Sequence, residues 1–140
     1  ASAGIEAQVA EEGVGVVVSV AQQDAPATLA ALRDSDFDFV MLLDLFGTDT
    51  GERIEMTYHL RSLTRDEEIY VRCSVEYDGE LQSVWNVYPS ALLPERETAE
   101  LLGMMLAGHP NPKRLLTTDG VAPLLRKSVP VRTAEEVRAR

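Results

Sequence analysis

Cysteine is almost absent: Cys73 is the only one in 140 residues. That excludes a disulfide framework and a cysteine-rich metal site. It also excludes an iron–sulfur cluster held by this chain alone, which needs several thiolates. Long apolar runs are missing too. The longest, VGVVVSVA from Val14 to Ala21, falls far short of the roughly 20 residues of a membrane-crossing helix, and reads as a buried strand. The opening stretch ASAGIEAQVAEEG lacks the positive charge and apolar centre of a secretory leader, so a cytoplasmic or peripherally bound protein is expected. No P-loop is present, and the glycines of GVGVVVSV precede a strand without the third glycine or the helix that a dinucleotide needs. There is no internal repeat and no low-complexity tract.

What the chain has is acid, 23 Asp and Glu against 13 Lys and Arg, for a net charge of -10. Nucleic-acid binding is disfavoured, because its affinity comes largely from neutralising phosphates. The charge is unevenly spread. Residues 110–140 carry 7 bases and 3 acids, 7 − 3 = +4, whereas residues 1–109 carry 6 bases and 20 acids, 6 − 20 = −14. This asymmetry predicts one acidic domain over 1–109 and a basic C-terminal docking arm over 110–140. Prolines at 110, 112, 123 and 130 make that arm irregular.

Within the domain, Ile5 to Glu12 reads as a short helix closed by Gly13, and Val14 to Val20 as a strand. Asp24 is placed to cap a helix running to Asp34, with Pro26 in its first turn and Leu29 and Leu32 inside. FDFVMLLDLFG reads as a strand buried on both faces over Val40 to Leu43. Next, Ile54, Met56, Tyr58 and Leu60 alternate with polar residues, as do Ile69, Val71, Cys73 and Val75. Period-two alternation predicts a sheet with one covered face, and TRDEE between the two runs predicts a hairpin. From Ser83 the pattern turns helical, with Pro94 at a first helical position and Gly103 as its end; MMLAGHP then reads as extended. The expected fold is α+β: a mainly antiparallel sheet of about four strands, helices packed on one face, and an irregular basic C-terminal arm.

Chemistry-bearing residues are few. Cys73 occupies an apolar strand position and reads as a small core side chain. His59 lies on the polar face of its strand, and Trp85 reads as a core or interface anchor. His109 stands between Gly108 and Pro110, downstream of Glu95, Glu97 and Glu100. That grouping is open to two readings: a general base or metal site, or a histidine that locks a turn by hydrogen bonding. The spacing favours the second.

The stretch from Glu95 to Leu116 resembles the signature of the 30 kDa subunit family of respiratory complex I, the proton-pumping NADH–quinone oxidoreductase. The matching residues are Glu95, Arg96, Glu97, Glu100, Leu101, Leu102, Gly108, His109, Pro110, Lys113, Leu115 and Leu116, followed by Leu125, Arg126 and Lys127. MTYHLRSL and SVWNVYPSA are similar to upstream parts of that family, so the likeness covers most of residues 37–130. Departures are Leu93 for an aromatic, AELLG for Tyr-Asp-Met-Phe-Gly, Leu124 for a proline, and Ser128-Val129-Pro130 for Asp-Tyr-Pro.

The resemblance implies a subunit of the peripheral arm, on the cytoplasmic side of the cell membrane, with no catalytic, metal or cofactor residue of its own. NADH, FMN, iron–sulfur clusters and quinone would be bound by partner subunits. The implied neighbour is the subunit that helps form the quinone site. On this view Glu95, Arg96 and Glu97 form an internal cluster at the base of the arm, Gly108-His109-Pro110 turns the backbone out of the domain, and Lys113, Arg114, Arg126 and Lys127 dock it. Two alternatives stay open: the equivalent subunit of a membrane-bound hydrogenase-type complex, and a stand-alone small enzyme using His109 with Glu97 or Glu100. A free-standing binding domain is a third.

Overall fold

Nine regular elements organise the residues described by the computed structural model, which are 5–118 and 120–129. They are β1 (Ala7–Glu12), β2 (Gly15–Val20), α1 (Ala25–Asp34), β3 (Met41–Asp49), β4 (Ile54–Ser62), β5 (Glu67–Val75), β6 (Glu80–Gln82), α2 (Leu92–Leu102) and β7 (Met105–Ala107). The main sheet has five strands in the order β1-β2-β5-β4-β3, and β6 and β7 form a small second sheet. All neighbours in the main sheet are antiparallel except β2 and β5. The α+β expectation holds, with one strand more than expected in the main sheet, a second two-stranded sheet, and two parallel pairs, β2–β5 and β6–β7.

Alternation builds the covered face. Ile54, Met56, Tyr58 and Leu60 on β4 are buried, as are Ile69, Val71, Cys73 and Val75 on β5. Leu29 of α1 and Ala99 and Leu102 of α2 complete the same core. Each fully buried Leu, Ile or Met side chain contributes about 1.5–3 kcal/mol. Gly47 lets α2 approach: a Cβ there would lie 2.4 Å from Leu102 Cδ1 and 2.9 Å from Thr98 Cγ2. Cys73 is core, and its burial pushes the thiol up to about 12.

Three local expectations are corrected. Residues 7–12 form a strand, not a helix; every one is exposed, so a helix would have had no apolar face to bury. Pairing with β2 satisfies its backbone instead, and Gly13 belongs to the intervening turn, not to a helix end. Val40, Met41 and Leu43 are 44%, 39% and 41% exposed, because β3 is an edge strand and, among the described residues, both helices pack on the other face of the sheet. Finally, α2 starts at Leu92, so Pro94 is its third residue; residues 80–82 are a strand, and a single 3-10 turn, Pro89–Ala91, leads into the helix. At α1 the Asp24 side chain makes no capping bond; the Thr28 hydroxyl donates to the Asp24 carbonyl (2.8 Å).

Candidate functional site

Successive residues of an α-helix point about 100° apart, so Glu95, Arg96 and Glu97 cannot face one another on α2. The structure separates them. Glu95 points into the core and is fully buried. Its carboxylate accepts from the Ser83 hydroxyl (2.5 Å) and the Val84 N–H (2.6 Å). Burial pushes this carboxyl above its ordinary value, and the bonds from Ser83 and Val84 pull it back. Glu97 points to solvent. The expected cluster of three is therefore corrected: Arg96 pairs in function with Glu100, four residues on and on the same helix face.

His109 is locked beside Glu95. Its Nε2 donates to the Leu92 carbonyl (2.8 Å), and its Nδ1 accepts from the Asn111 N–H (3.0 Å). Those partners put the ring proton on Nε2. Glu95 Oε2 lies 3.8 Å from Nε2, and both side chains are sealed from solvent. With both ring nitrogens engaged, and with Glu97 and Glu100 on other sides of the helix, the residues of the stand-alone-enzyme reading are not assembled. Among the described residues, no three His, Cys, Asp or Glu side chains come together as a metal site. The structure thus favours the turn-locking histidine. The lock spans three segments, because the Trp85 Nε1 donates to the Gly108 carbonyl (3.1 Å) and the Ser83 N–H to the Ala107 carbonyl (2.8 Å).

Over the described residues after Pro110 the chain stays on the domain. It runs back along the outer side of α2. Arg96 donates to the carbonyls of Lys113 (2.7 Å) and Arg114 (3.0 Å). Glu100 accepts from the Leu115 N–H (2.6 Å), the Leu116 N–H (3.0 Å), and both the N–H and the hydroxyl of Thr117. Led by the Thr117 hydroxyl, these donors hold the Glu100 carboxyl down at about 2. Arg114 turns inward on the same segment, donating to Thr117 Oγ1 (2.7 Å) and to the carbonyls of Thr118 (3.1 Å) and Val121 (2.9 Å).

The arm then closes the C-terminal end of α2. Gly103 takes the left-handed conformation there, with φ 76°. A Cβ on it would also strike Pro123 (2.5 Å) and Arg126 (2.7 Å), so glycine is needed for both the turn and the close approach. The Leu125 N–H donates to the Leu101 carbonyl (2.9 Å). Arg126 donates to the carbonyls of Leu102 (2.7 Å) and Gly103 (3.0 Å) and to the Asp78 carboxylate (2.8 Å), and lies over the Tyr77 ring. A cation on these last carbonyls also complements the helix dipole. One residue on, the Lys127 N–H donates to Asp49 (2.8 Å), which also accepts from Gly51 N–H and the Tyr77 hydroxyl. Those donors, Tyr77 first, hold the Asp49 carboxyl below its ordinary value.

Arg126 was expected to face a partner; its guanidinium is instead spent within the chain. Outward-facing are the side chains of Lys113 and Lys127 and of Leu116, Leu124 and Leu125, the three leucines being 59%, 49% and 59% exposed. The sequence reading missed Asp49, Tyr77, Asp78 and Ser83. Only Asp49 had a local signal: Asp-Thr-Gly is a turn in which the Asp side chain accepts from the N–H two residues on. The arm's remaining predicted members, Pro130, Arg132, Arg138 and Arg140, lie outside the described residues.

Among the described residues no helix is long and apolar enough to cross a membrane. The fold resembles a chain in the structure of the membrane-bound sulfane sulfur reductase, an archaeal respiratory membrane complex. The TM-score is 0.65, covering 77% of this chain and 65% of that one at 22% identity. Relatives are the C subunits of the NADH-quinone oxidoreductases of Phenylobacterium zucineum (39% identical over 79% of this chain) and of Aromatoleum aromaticum (37% over 88%). That of Rhodobacter capsulatus is 32% identical over 96% of this chain and 75% of the relative. The chain spans 54% of the length of the Phenylobacterium protein and 68% of that from Aromatoleum. Residues 18–135 match the family model described as respiratory-chain NADH dehydrogenase, 30 Kd subunit. The chain belongs to that 30 kDa subunit family.

Proposed function

We propose that this chain is a non-catalytic scaffold subunit in the peripheral arm of a complex I-type NADH–quinone oxidoreductase. It docks on the subunit that helps form the quinone site, at the cytoplasmic side of the membrane. One observation carries the reading: the arm is pinned by its backbone and by Arg114, Thr117 and Arg126, while several of its leucines and lysines face outward. Glu100, Asp49 and the end of α2 take up its N–H groups, and Arg96 and Arg126 tie it to the domain. That leaves Leu116, Leu124 and Leu125 exposed, with Lys113 and Lys127 exposed on either side of them in the chain. Apolar side chains held rigidly on the surface of an acidic domain, beside lysines, suit an obligate interface with an acidic partner. NADH, flavin, iron–sulfur clusters and quinone belong to the partners on this reading, because His109 is engaged on both nitrogens and Cys73 is buried.

The similarity to the sulfane sulfur reductase chain supports a second reading, in which the same docking surface serves a related membrane-bound redox complex. The relatives named as NADH-quinone oxidoreductase subunits favour the first. The test is isolation of the tagged chain from native membranes, with quantification of what accompanies it. NADH-oxidising and quinone-site subunits in equal amounts support the first reading, and hydrogenase or sulfur-reductase subunits the second. A chain recovered alone refutes both.

A further inference from the structure

On the uncovered face of the main sheet, the strands follow two different rules. Strand register places Arg61, His59, Thr57 and Glu55 of β4 beside Glu68, Tyr70, Arg72 and Ser74 of β5. That surface satisfies itself. Arg61 pairs with Glu68 and Asp66, His59 stacks on Tyr70 with ring centroids 4.4 Å apart, and Arg72 pairs with Glu12 and Glu55. Its charged and aromatic side chains pair with one another over the buried Thr57 and Val17.

β3 breaks the pattern. Opposite Arg61, His59 and Thr57 it places Met41, Asp44 and Phe46, and Leu43, at the register shift between Leu42 and Asp44, is 41% exposed. Val40 precedes β3 and Leu63 follows the end of β4 beside it, at 44% and 60% exposed, whereas Phe37 lines a groove on the α1 side with Phe39 and Ile69. The Thr64 hydroxyl bonds Asp38, and Arg65 lies over the Phe37 ring, so the β4–β5 turn and the segment before β3 are held as one surface. Exposed Met41, Leu43 and Phe46 thus share one edge strand, with Asp44 between Met41 and Phe46; apolar side chains concentrated in this way mark an interaction surface.

This edge is framed by Asp36, Asp38 and Asp44, none of which pairs with a Lys or Arg among the described residues. The nearby arginines are committed elsewhere: Arg61 to Asp66 and Glu68, Arg65 to Glu67. The free charge around the apolar side chains is thus negative. The main-chain edge, by contrast, is blunted. The bulge at Leu43 breaks the ladder, and Asp44 Oδ1 caps the Leu45 N–H at 2.8 Å. Both features discourage the addition of a further strand.

From these we infer that β3 is a second docking surface, separate from the arm. It takes a segment of another protein subunit that carries apolar side chains flanked by lysine or arginine. Contact is through side chains rather than by strand addition. The arm presents leucine with lysine; β3 presents Met, Leu and Phe with aspartate. The two faces therefore select partners of opposite charge. The inference rests on the reading of the chain as a subunit of a larger assembly.

Two exposed methionines make the test separable. Met41 reports on β3 and Met105 on the side of α2 that the arm follows, while buried Met56 is the internal standard. Peroxide oxidation is followed by mass spectrometry on the free chain and on the complex isolated through a tag from native membranes. The expected result is loss of Met41 oxidation in the complex, down to the rate of Met56. Carbodiimide should also join Asp36, Asp38 or Asp44 to lysines of a different subunit. A complex in which Met105 is protected and Met41 stays as reactive as in the free chain overturns this inference and leaves the subunit reading standing. Cross-links only to a second copy of this chain overturn it as well. A chain that brings down no complex removes both. As a second measure, Asp36→Lys with Asp44→Lys should lower recovery of that subunit while the arm-side subunit is retained; unchanged recovery of both counts against the β3 surface.

Discussion

Arg126 Nε lies 2.7 Å from the carbonyl oxygen of Leu102, the last residue of α2, though 24 positions separate them in the chain. The arm thereby supplies the helix with its C-terminal cap, and the helix supplies the arm with a fixed anchor. Leu125, Arg126 and Lys127 each make a bond to the domain through N–H or guanidinium, which sets the path of the preceding residues.

Replacing Arg126 with Ala removes its bonds to Leu102, Gly103 and Asp78 together. The expected cost is about 1–3 kcal/mol in urea unfolding of the isolated chain, with faster amide exchange over 111–129. Arg126→Lys should recover the charge but only part of the stability, because lysine lacks the fork that reaches two carbonyls and a carboxylate. Equal stability of Ala and wild type would show that the cap is idle.

Two glycines should respond to alanine for different reasons. Gly47→Ala forces a methyl against Leu102 and Thr98 and should cost about 1–3 kcal/mol by overpacking, with the arm unaffected. Gly103→Ala strains a left-handed residue and pushes Pro123 and Arg126 away; about 1–3 kcal/mol is expected together with increased protease cleavage in the arm. Limited proteolysis beside thermal unfolding separates the two.

The carboxyls of Glu100 and Glu95 should pull stability in opposite directions with pH. Glu100 is held down at about 2 from an ordinary 4.5, so its contribution is complete above 4.5 and is lost as pH falls towards 2. Glu95 is raised, so the fold favours its protonated form; that contribution is present below 4.5 and declines as pH rises through its raised folded value. Glu100→Gln should therefore flatten the acid limb of a plot of unfolding free energy against pH, and Glu95→Gln the limb above 4.5. Identical profiles for both variants and wild type would contradict the assignment.

Cys73 should resist thiol reagents in the native chain and react fully once unfolded, since burial holds the thiol up at about 12. Rapid native labelling would mean that β5 opens far more readily than its packing allows.

Much of this architecture was legible in the chain, and the failures have physical causes. The alternation in β4 and β5 gave the hairpin and its covered face, because a half-buried strand writes its environment in every second residue. Residues 7–12 misled because their strand is stabilised by pairing with β2 and carries no pattern of its own. Val40 to Leu43 misled in the other direction: four apolar residues in a row look buried, but at this sheet edge only Leu42 packs against the core and Val40, Met41 and Leu43 are exposed. At the site, the family-like spacing drew attention to Glu95, Glu100, His109 and Arg126, which make bonds within the chain. It did not reveal their partners, because Ser83, Asp49 and Asp78 lie in other segments that only tertiary folding brings near.

The docking role is tested most directly by tagging the chain in its native cell, with and without Leu116→Glu and Leu125→Glu, two exposed positions whose substitution leaves the core untouched. Wild type is predicted to bring down the quinone-site subunit and its NADH-oxidising partners in equal amounts. The double variant is predicted to fold normally by circular dichroism and to bring down none. Normal recovery of those subunits with the double variant, or NADH or quinone turnover by the isolated chain, would contradict it.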